Sequence, residues 1–310
     1  MLKYTVSRFL SMLLVLFIIT TATFVLMHAI PGGPFTAEKN LPEAVLKNLN
    51  ERYHLNDPLF KQYTDYLANV ARGDLGPSFK YEARTVNDII AESFPVSAEL
   101  GLAAVFIAVA GGLPMGIIAA LRQNRWPDYL CMFAATIGIS VPGFILATLF
   151  IYVFALKLEL FPAAMWGGPE YVVLPALALA AFPMAFIARL TRSSMLEVLG
   201  LDFIRTARAK GLSPFAVVWR HALKNALIPV VTYLGPLIAA VLTGSFVIES
   251  IFAIPGLGRH FVTSIYNRDY TVILGITIFY STFLVFLNFL VDIAYAWLDP
   301  RIKLDGGRGD

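Results

Sequence analysis

Long apolar runs alternate with short polar segments along this chain. Six runs contain no Asp, Glu, Lys or Arg and are 18 to 28 residues long: Phe9–Ile30, Leu100–Leu121, Tyr129–Leu156, Tyr171–Ala188, Asn225–Ile248 and Tyr270–Val291. A helix needs about 20 apolar residues to cross the hydrocarbon core of a bilayer, and about 17–25 are tolerated. The pattern therefore predicts an all-α integral membrane protein with six transmembrane helices.

The first run has to be distinguished from a cleaved signal, because Lys3 and Arg8 precede it. The apolar region of a signal peptide is about 7–15 residues long and ends at a small-residue cleavage site. This run has 22 residues and no Ala-x-Ala follows it. We expect a retained first helix.

Composition also favours a protein whose solvent is largely lipid. Of 310 residues, 58% are hydrophobic and 15% are charged, whereas soluble domains average about 45–50% apolar and about 25% charged residues. The single cysteine, Cys131, excludes an internal disulfide and a cysteine-cluster metal site. The net charge of +3 gives no indication of nucleic-acid binding.

The Lys and Arg residues of the short polar segments indicate orientation, because positive residues are retained on the cytoplasmic side. Fourteen lie in the N-terminus, residues 122–128, residues 189–224 and the C-terminal tail, against three in residues 157–170 and 249–269. The long segment 31–99 carries little weight, since long segments translocate largely regardless of charge. We expect both termini in the cytoplasm.

The segment 31–95 carries helix signals and is expected to form a small folded cap outside the membrane. One helix is expected over residues 42–53. Another is expected to use Asp57 as N-cap and Pro58 as first helical residue, and to end at Gly73. The cap is either a structural lid or a docking surface for an extracytoplasmic partner.

The segment Glu197–Pro229 between the fourth and fifth runs, here called the elbow, has a helix–glycine–helix pattern. Residues 203–210 suit a short helix with Phe203 and Ala207 on one face. Gly211 can end this helix in the left-handed conformation.

A second elbow helix is expected to begin with Ser213 as N-cap and Pro214 as first residue. Its apolar stripe is expected to comprise Phe215, Val218, Trp219 and Ala222. The elbow is either a shaped knob offered to the cytoplasm or a basic loop whose arginines meet anionic lipid headgroups.

Prolines interrupt the apolar runs at Pro114, Pro142, Pro175, Pro183, Pro229 and Pro236. They either make ordinary packing kinks, which lipid-buried helices tolerate, or bend the helices around a path that opens and closes. Gly112 and Gly116 form a small-x3-small motif, which is typical of closely packed membrane helices.

Several motifs resemble one family of transport proteins. The run Phe203–Gly211 followed by Arg220–Leu223 is similar to the EAA loop of ABC importer permeases, in the form used by the peptide-permease branch. Further similarity lies in Pro31–Pro34, in Gly73–Ser78, and in the Gly- and Pro-containing motifs of residues 243–258. These motifs follow the order of the B subunit of oligopeptide and dipeptide importers.

This resemblance implies a type I ABC importer permease in the inner membrane. Residues 1–30 would be the cytoplasmic N-terminal end and first helix, 31–95 the cap, 96–299 the permease core containing the elbow at 197–229, and 300–310 a cytoplasmic tail. The implied partners are a second homologous permease, two cytoplasmic ATPases that hold ATP and Mg, and an extracytoplasmic peptide-binding protein. This chain itself would bind no cofactor.

In the family, a short coupling helix of the elbow sits in a groove of the ATPase subunit. The residues that the resemblance assigns to this contact are Phe203, Arg205, Thr206, Ala207, Arg208, Ala209, Lys210 and Gly211. Arg205 stands where the loop's eponymous Glu lies in other permeases, so no contact of that Glu is transferred here.

The sequence carries no catalytic constellation. No Gly is followed by Lys, which excludes a Walker A P-loop, and the four histidines are isolated, with no metal-binding spacing. Two acids lie in or at the ends of apolar runs: Asp292, for which we favour a structural polar contact, and Glu249, for which a gate or partner contact and a structural role are equally supported.

Three classes of membrane protein fit this sequence to different degrees. A permease subunit of an ATP-driven peptide importer agrees with the motifs, and relatives of similar appearance carry nickel chelates or other small solutes. A stand-alone secondary transporter would need coupling acids or a filter within one chain, and the sequence contains no internal inverted repeat. A membrane enzyme would need a nucleophile–base pair or a metal site.

The predicted orientation can be tested with Lys210→Cys and Lys61→Cys in a Cys131→Ser background. Because Lys and Arg favour one side strongly, Cys at 210 should react with an impermeant thiol reagent only from the cytoplasmic side, and Cys at 61 only from outside. Labelling of both from the same side would contradict the six-helix topology.

Overall fold

A computed structural model of the chain describes residues 2–29, 55–81, 83–242 and 244–298, with the backbone alone for residues 2–4 and 291–298. The expected helix at 42–53, the tail 300–310 and the side chain of Asp292 lie outside the described residues. Within those ranges every regular element is helical, apart from one isolated bridge between Pro77 and Thr85.

The helices are, in chain order, α1 (Leu2–Ala29), α2 (Leu59–Ala71), α3 (Val86–Leu121), α4 (Trp126–Ser140), α5 (Gly143–Phe150, continued by a π-helical stretch, Ile151–Lys157), α6 (Pro169–Leu199), α7 (Asp202–Ala209), α8 (residues 214–226), α9 (Ile228–Leu242), α10 (Phe246–Ile251), α11 (Leu257–Asn267) and α12 (Tyr270–Leu298).

Among the described residues, five helical segments are long and apolar enough to span a membrane, and a sixth span results when α4 and α5 are taken as one. The predicted run Tyr129–Leu156 is therefore not one straight helix, because α4 and α5 are bent by 107°. Pro142 explains the break: it cannot donate to the helix ladder, and it forces Val141 into an extended conformation with ψ of 121°.

The predicted run Asn225–Ile248 is interrupted too. Helix α9 ends at Leu242 and α10 begins at Phe246, with Gly244 between them at a φ of +86°. A left-handed residue cannot continue a right-handed helix. The fifth span consequently consists of two helices.

Several spans extend beyond their apolar runs, α3 and α6 by the most residues. Helix α3 begins at Val86, where Thr85 and Asp88 form a capping box: the Thr85 hydroxyl accepts from the Asp88 amide, and the Asp88 carboxylate accepts from the Thr85 amide. Helix α6 continues to Leu199 and carries polar residues in its last turns. Apolar length alone underestimates such helices, because they project beyond the hydrocarbon.

Small residues bring α3 and α6 into close contact. A Cβ atom on Gly112 would lie 2.7 Å from the carbonyl oxygen of Met184, and one on Gly116 would lie 2.5 Å from that of Ala188. Without a hydrophobic driving force between helices in lipid, such close backbone approach is a main source of association. The predicted packing role of this glycine motif is confirmed.

The cap helix α2 packs on the first span. The hydroxyls of Thr21 and Tyr63 share a hydrogen bond of 2.6 Å, and the Phe24 and Tyr63 rings lie 5.2 Å apart. Gly73 has the expected left-handed φ, +80°. The predicted helix start was one residue early, because the structure places Pro58, rather than Asp57, at the N-cap.

Candidate functional site

The first helix of the elbow, α7, is fixed by two buried side chains. Ile204 is fully buried and Ala207 nearly so, and they belong to a cluster with Met195 and Val198 at the end of α6 and Ala120 at the end of α3. The sequence places Phe203 and Ala207 on one face of this helix. The structure buries Ala207 and leaves Phe203 at the exposed edge of that face, while Ile204, the next residue along the chain, is buried with Ala207.

The opposite face of α7 is open to solvent. Phe203 is 42% exposed, and Arg205, Thr206, Arg208 and Lys210 are exposed as well. Arg205 lies 3.3 Å from Asp202, and both of these side chains are largely exposed. Since exposed pairs of this kind contribute little, this face offers an aromatic ring and several cations to a partner.

Gly211 turns the chain between the two elbow helices. Its φ is +80°, as predicted, and its amide donates to the Arg208 carbonyl at 3.0 Å. A Cβ atom there would meet nothing within 4 Å. A side chain at this position is therefore disfavoured through backbone strain alone.

The second elbow helix begins as predicted, with the Ser213 hydroxyl accepting from the Ala216 amide at 3.3 Å. Its predicted apolar stripe is only half right, because Phe215 and Trp219 are 71% and 55% exposed while Val217 and Ala222 are buried. The cause is a π-helical stretch, Val217–Ala222, whose wider turns change which positions share a face.

An ion pair between a buried acid and a partly buried arginine lies beside the elbow, and sequence reasoning missed it. The Asp128 carboxylate accepts from Nε and a terminal nitrogen of Arg192 at 2.7 and 2.8 Å, and from the Asn124 amide at 2.9 Å. Asp128 is 2% exposed. Asp128 and Arg192 are 64 positions apart in the sequence, and each is an isolated charge in its own segment. No local sequence pattern therefore indicates that they pair.

Glu249 forms a second polar centre, at the junction of α3, α10 and α11. One carboxylate oxygen accepts from the Ser97 hydroxyl at 2.9 Å, and the other accepts from the amides of Gly258 and Arg259 at 2.8 and 3.2 Å. Glu249 is fully buried. The Glu249 carboxylate thus accepts hydrogen bonds from several donors directed at it, as a buried carboxylate requires.

Glycines surround this carboxylate. A Cβ atom on Gly244 would lie 2.5 Å from one oxygen of Glu249, one on Gly256 would collide with the other, and one on Gly258 would lie 2.9 Å from it. The glycine motif of residues 243–258 is thus explained by the space that the carboxylate needs. Asp292, the other predicted acid, falls within α12.

The Gly73–Ser78 motif is docked on a third buried acid, Asp269, which the sequence did not indicate. The Asp269 carboxylate accepts from the Ser78 hydroxyl and, at 3.2 and 3.3 Å, from the amides of Phe79 and Lys80. Asp269 directly precedes α12. The segment between α2 and α3 is therefore bound to the start of the last span.

The segment between α2 and α3 also contacts His260 of α11, whose ring meets the Tyr81 ring edge-on at 6.0 Å. Burial lowers the pKa of His260, and the nearby cations Arg84 and Arg259 lower it further. His260 is consequently favoured in its neutral form. Within the described residues, no group of three or more His, Cys, Asp or Glu side chains could hold a metal ion.

An apolar groove of about 600 Å³ opens between α5, α6, α9 and α10. Helix irregularities meet in its wall, which includes Gly143, Pro183, Pro236 and Ser245. Pro183 has no amide hydrogen to offer the carbonyl of Leu179, another residue of the wall. The groove wall is therefore mainly apolar, and it includes one carbonyl, that of Leu179, that receives no bond from the residue four positions later.

Solved structures share this fold. The inward-facing methionine ABC transporter covers 69% of this chain and 96% of its own with a TM-score of 0.54 and 21% identity. An amino acid ABC transporter crystallised with histidines covers 68% and 94% with a TM-score of 0.54 and 16% identity. The described helices thus form the type I permease fold of ABC importers.

Family comparison gives a narrower assignment. Residues 112–304 match the model of the binding-protein-dependent transport system inner membrane component, and residues 1–101 match the model of its N-terminal part. The chain belongs to this family. The dipeptide transport system permease protein DppB of Bacillus subtilis is 58% identical over 98% of this chain and 99% of its own.

The oligopeptide transport system permease protein OppB of Salmonella typhimurium is 48% identical over 98% of this chain and 100% of its own. The resemblance drawn from the sequence motifs to permeases of oligopeptide and dipeptide importers is thereby confirmed.

The hydrogen bonds of Glu249 make a prediction about stability. Glu249→Ala should lower the free energy of unfolding by about 2–4 kcal/mol, because three buried donors lose their acceptor. Glu249→Gln, which keeps one acceptor oxygen, should cost less. Thermal denaturation in detergent measures both.

Glu99→Ala, which removes an exposed acid two residues after Ser97 on α3, is the matched control. Equal melting temperatures for Glu249→Ala and Glu99→Ala would show that these hydrogen bonds do not stabilise the fold.

Proposed function

We propose that the chain is a permease subunit of an ATP-driven importer that receives oligopeptides or dipeptides from an extracytoplasmic binding protein. The observation that carries the proposal is the match of nearly the whole chain to permeases with dipeptide and oligopeptide names. The exposed aromatic and cationic face of α7 supports it, since a subunit without a P-loop needs a surface through which an ATPase can act.

The proposed complex contains this chain, a homologous second permease, two cytoplasmic ATPases and the binding protein. ATP and Mg belong to the ATPases. The face of α7, from Phe203 to Lys210, would occupy a groove of one ATPase, and closure of the ATPase pair would move the elbow. The packing of Ile204 and Ala207 against α6 supports this role. A helix without such contacts would move by itself and would not displace α6.

The proposed orientation places the elbow and both termini in the cytoplasm and the cap outside. The basic residues of the elbow support it. The cap is then positioned to meet the binding protein, while its contacts with α1 and with Asp269 also fit a lid.

We assign the groove between α5, α6, α9 and α10 to the path of the solute. Irregular backbone at membrane depth is tolerated where it is buried in protein or lines a water-filled cavity, and Phe144 and Phe182 beside these breaks remain about half exposed. In this proposal the Leu179 carbonyl, which Pro183 leaves without its helical donor, accepts from a peptide amide whatever the side chains of the peptide are, and the apolar wall suits mixed cargo.

Uptake of labelled peptides of graded length, in membrane vesicles with the partner subunits and the binding protein, tests this function. We expect accumulation that requires both ATP and the binding protein. Accumulation driven by an ion gradient without ATP would indicate a secondary transporter. ATP-dependent uptake of nickel chelates without peptide uptake would show that the protein belongs to an ATP-driven importer whose solute is a nickel chelate and not a peptide.

The role of the elbow can be tested at Gly211. Gly211→Val forces a branched side chain into the left-handed region at about 1–2 kcal/mol, too little to unfold the bundle but enough to misplace α7. The variant should insert normally and lose peptide uptake, with the ATPases either detached or no longer stimulated by the loaded binding protein. Arg205→Glu and Arg208→Glu should give weaker defects by reversing charge on the same face.

Gly200→Ala serves as the control, because its φ of −83° needs no left-handed backbone and its Cβ would lie 3.4 Å from the nearest atom, an ordinary contact outside the exposed face of α7 and outside the groove. If Gly211→Val takes up peptide at the wild-type rate and its ATPases are still stimulated by the loaded binding protein, the elbow does not couple the ATPases to transport.

A further inference from the structure

We infer that Asp128 and Arg192 are positioning residues that carry the movement of the elbow to α4 and thereby to the broken third span. The inference rests on the proposed coupling role of the elbow. It assigns to one ion pair the transmission step between the ATPase contact and the wall of the groove.

The geometry of the pair fixes both distance and direction. Two parallel hydrogen bonds, of 2.7 and 2.8 Å, join the planar guanidinium to the carboxylate. A third bond, from the Asn124 amide, holds the carboxylate in place at the turn before α4. Such a fork resists sliding and rotation in a way that an apolar contact between the same helices does not.

Arg192 lies one helical turn before the part of α6 against which the elbow packs. Met195 and Val198 follow it on α6, and both pack in the cluster that holds Ile204 and Ala207 of α7. A force applied to α7 therefore reaches the end of α6 first. Arg189, one turn earlier on α6, also bonds to α4, donating to the Thr136 hydroxyl at 2.8 Å. Arg192, nearer to the elbow, is bonded to α4 through two hydrogen bonds to a buried acid.

Beyond the pair, α4 and α6 lie in close contact along their length. A Cβ atom on Gly138 would lie 2.8 Å from the Ala181 carbonyl oxygen, and Ala135 is buried with Ala185 and Ala188. Helix α4 ends at Ser140, directly before the break that leads into the groove wall. Displacement of α6 would thus reach Gly143 through α4.

Stability alone does not require this ion pair. A buried pair often stabilises a fold no more than apolar residues of equal volume do, although loss of one partner is costly. The feature that an apolar pair cannot supply is the fixed register between the two helix ends, and register is what transmission of a displacement needs.

The test compares Asp128→Asn, Arg192→Gln and the double variant in the assembled complex. We expect each to retain its ATPase subunits and basal hydrolysis, while stimulation by the loaded binding protein and peptide uptake both fall by about tenfold, within the usual range for coupling between distant sites. The double variant should be no worse than either single one, because both remove the same link. Asp128→Glu, which keeps the charge, should restore part of the stimulation.

Arg125→Gln is the matched control, since it removes an exposed cation from the same turn. If the neutral variants fail to accumulate, Arg192→Lys, which keeps the charge and loses the fork, decides the question by the same ratio of stimulated to basal hydrolysis. The inference is overturned if stimulation and uptake stay at wild-type values, or if they fall only together with loss of the ATPases.

The same vesicles separate this inference from the proposed function. An uncoupled Gly211→Val beside a fully coupled Asp128→Asn would overturn the ion-pair role and leave the elbow role intact. Normal coupling in Gly211→Val would overturn the elbow role itself.

Discussion

The close approach of α3 and α6 is the contact on which the rest of the molecule depends. In lipid, helices gain little from burying apolar surface against each other, so association relies on backbone proximity and on polar bonds. Gly112 and Gly116 permit that proximity by leaving no Cβ atom between the two helices. Helix α6 then serves as the support for the elbow at one end, for α4 along its side and for the groove wall at Pro183.

Rigid and interrupted parts are separated along the chain. Tight glycine and alanine contacts join α3, α4 and α6, whereas the left-handed Gly244 and the Val141–Pro142 corner divide two of the spans. Buried acids lie at the borders of these parts: Asp128 where α4 begins, Glu249 where α10 meets α11, and Asp269 where α12 begins. Each of these carboxylates accepts several hydrogen bonds. These bonds fix the relative positions of the neighbouring elements more closely than apolar packing in lipid would.

The sequence predicts what depends on neighbouring residues. Apolar runs locate the spans, and local chain chemistry correctly identifies Gly73, Gly211 and the Ser213 cap. Properties that depend on distant partners escape it. The Asp128–Arg192 pair joins residues 64 positions apart, and the Ser78–Asp269 bond joins residues 191 positions apart. The face of the second elbow helix was misjudged because a π-helical stretch shifts its register, and register is decided by packing rather than by spacing.

The bond between Ser78 and Asp269 has a consequence for how the protein is made. Domains and helices emerge from the ribosome in chain order, so the turn at Gly73–Ser78 emerges long before the acid that holds it. Ser97 likewise obtains its partners, Glu249 and the Leu257 amide, only after most of the chain has been made. The spans can enter the bilayer one after another, but the turn at Gly73–Ser78 is bound only once Asp269 has been made. A chain halted before Asp269 therefore carries most of its spans while Ser78 and the amides of Phe79 and Lys80 still lack their acceptor, which distinguishes an incomplete permease from a finished one.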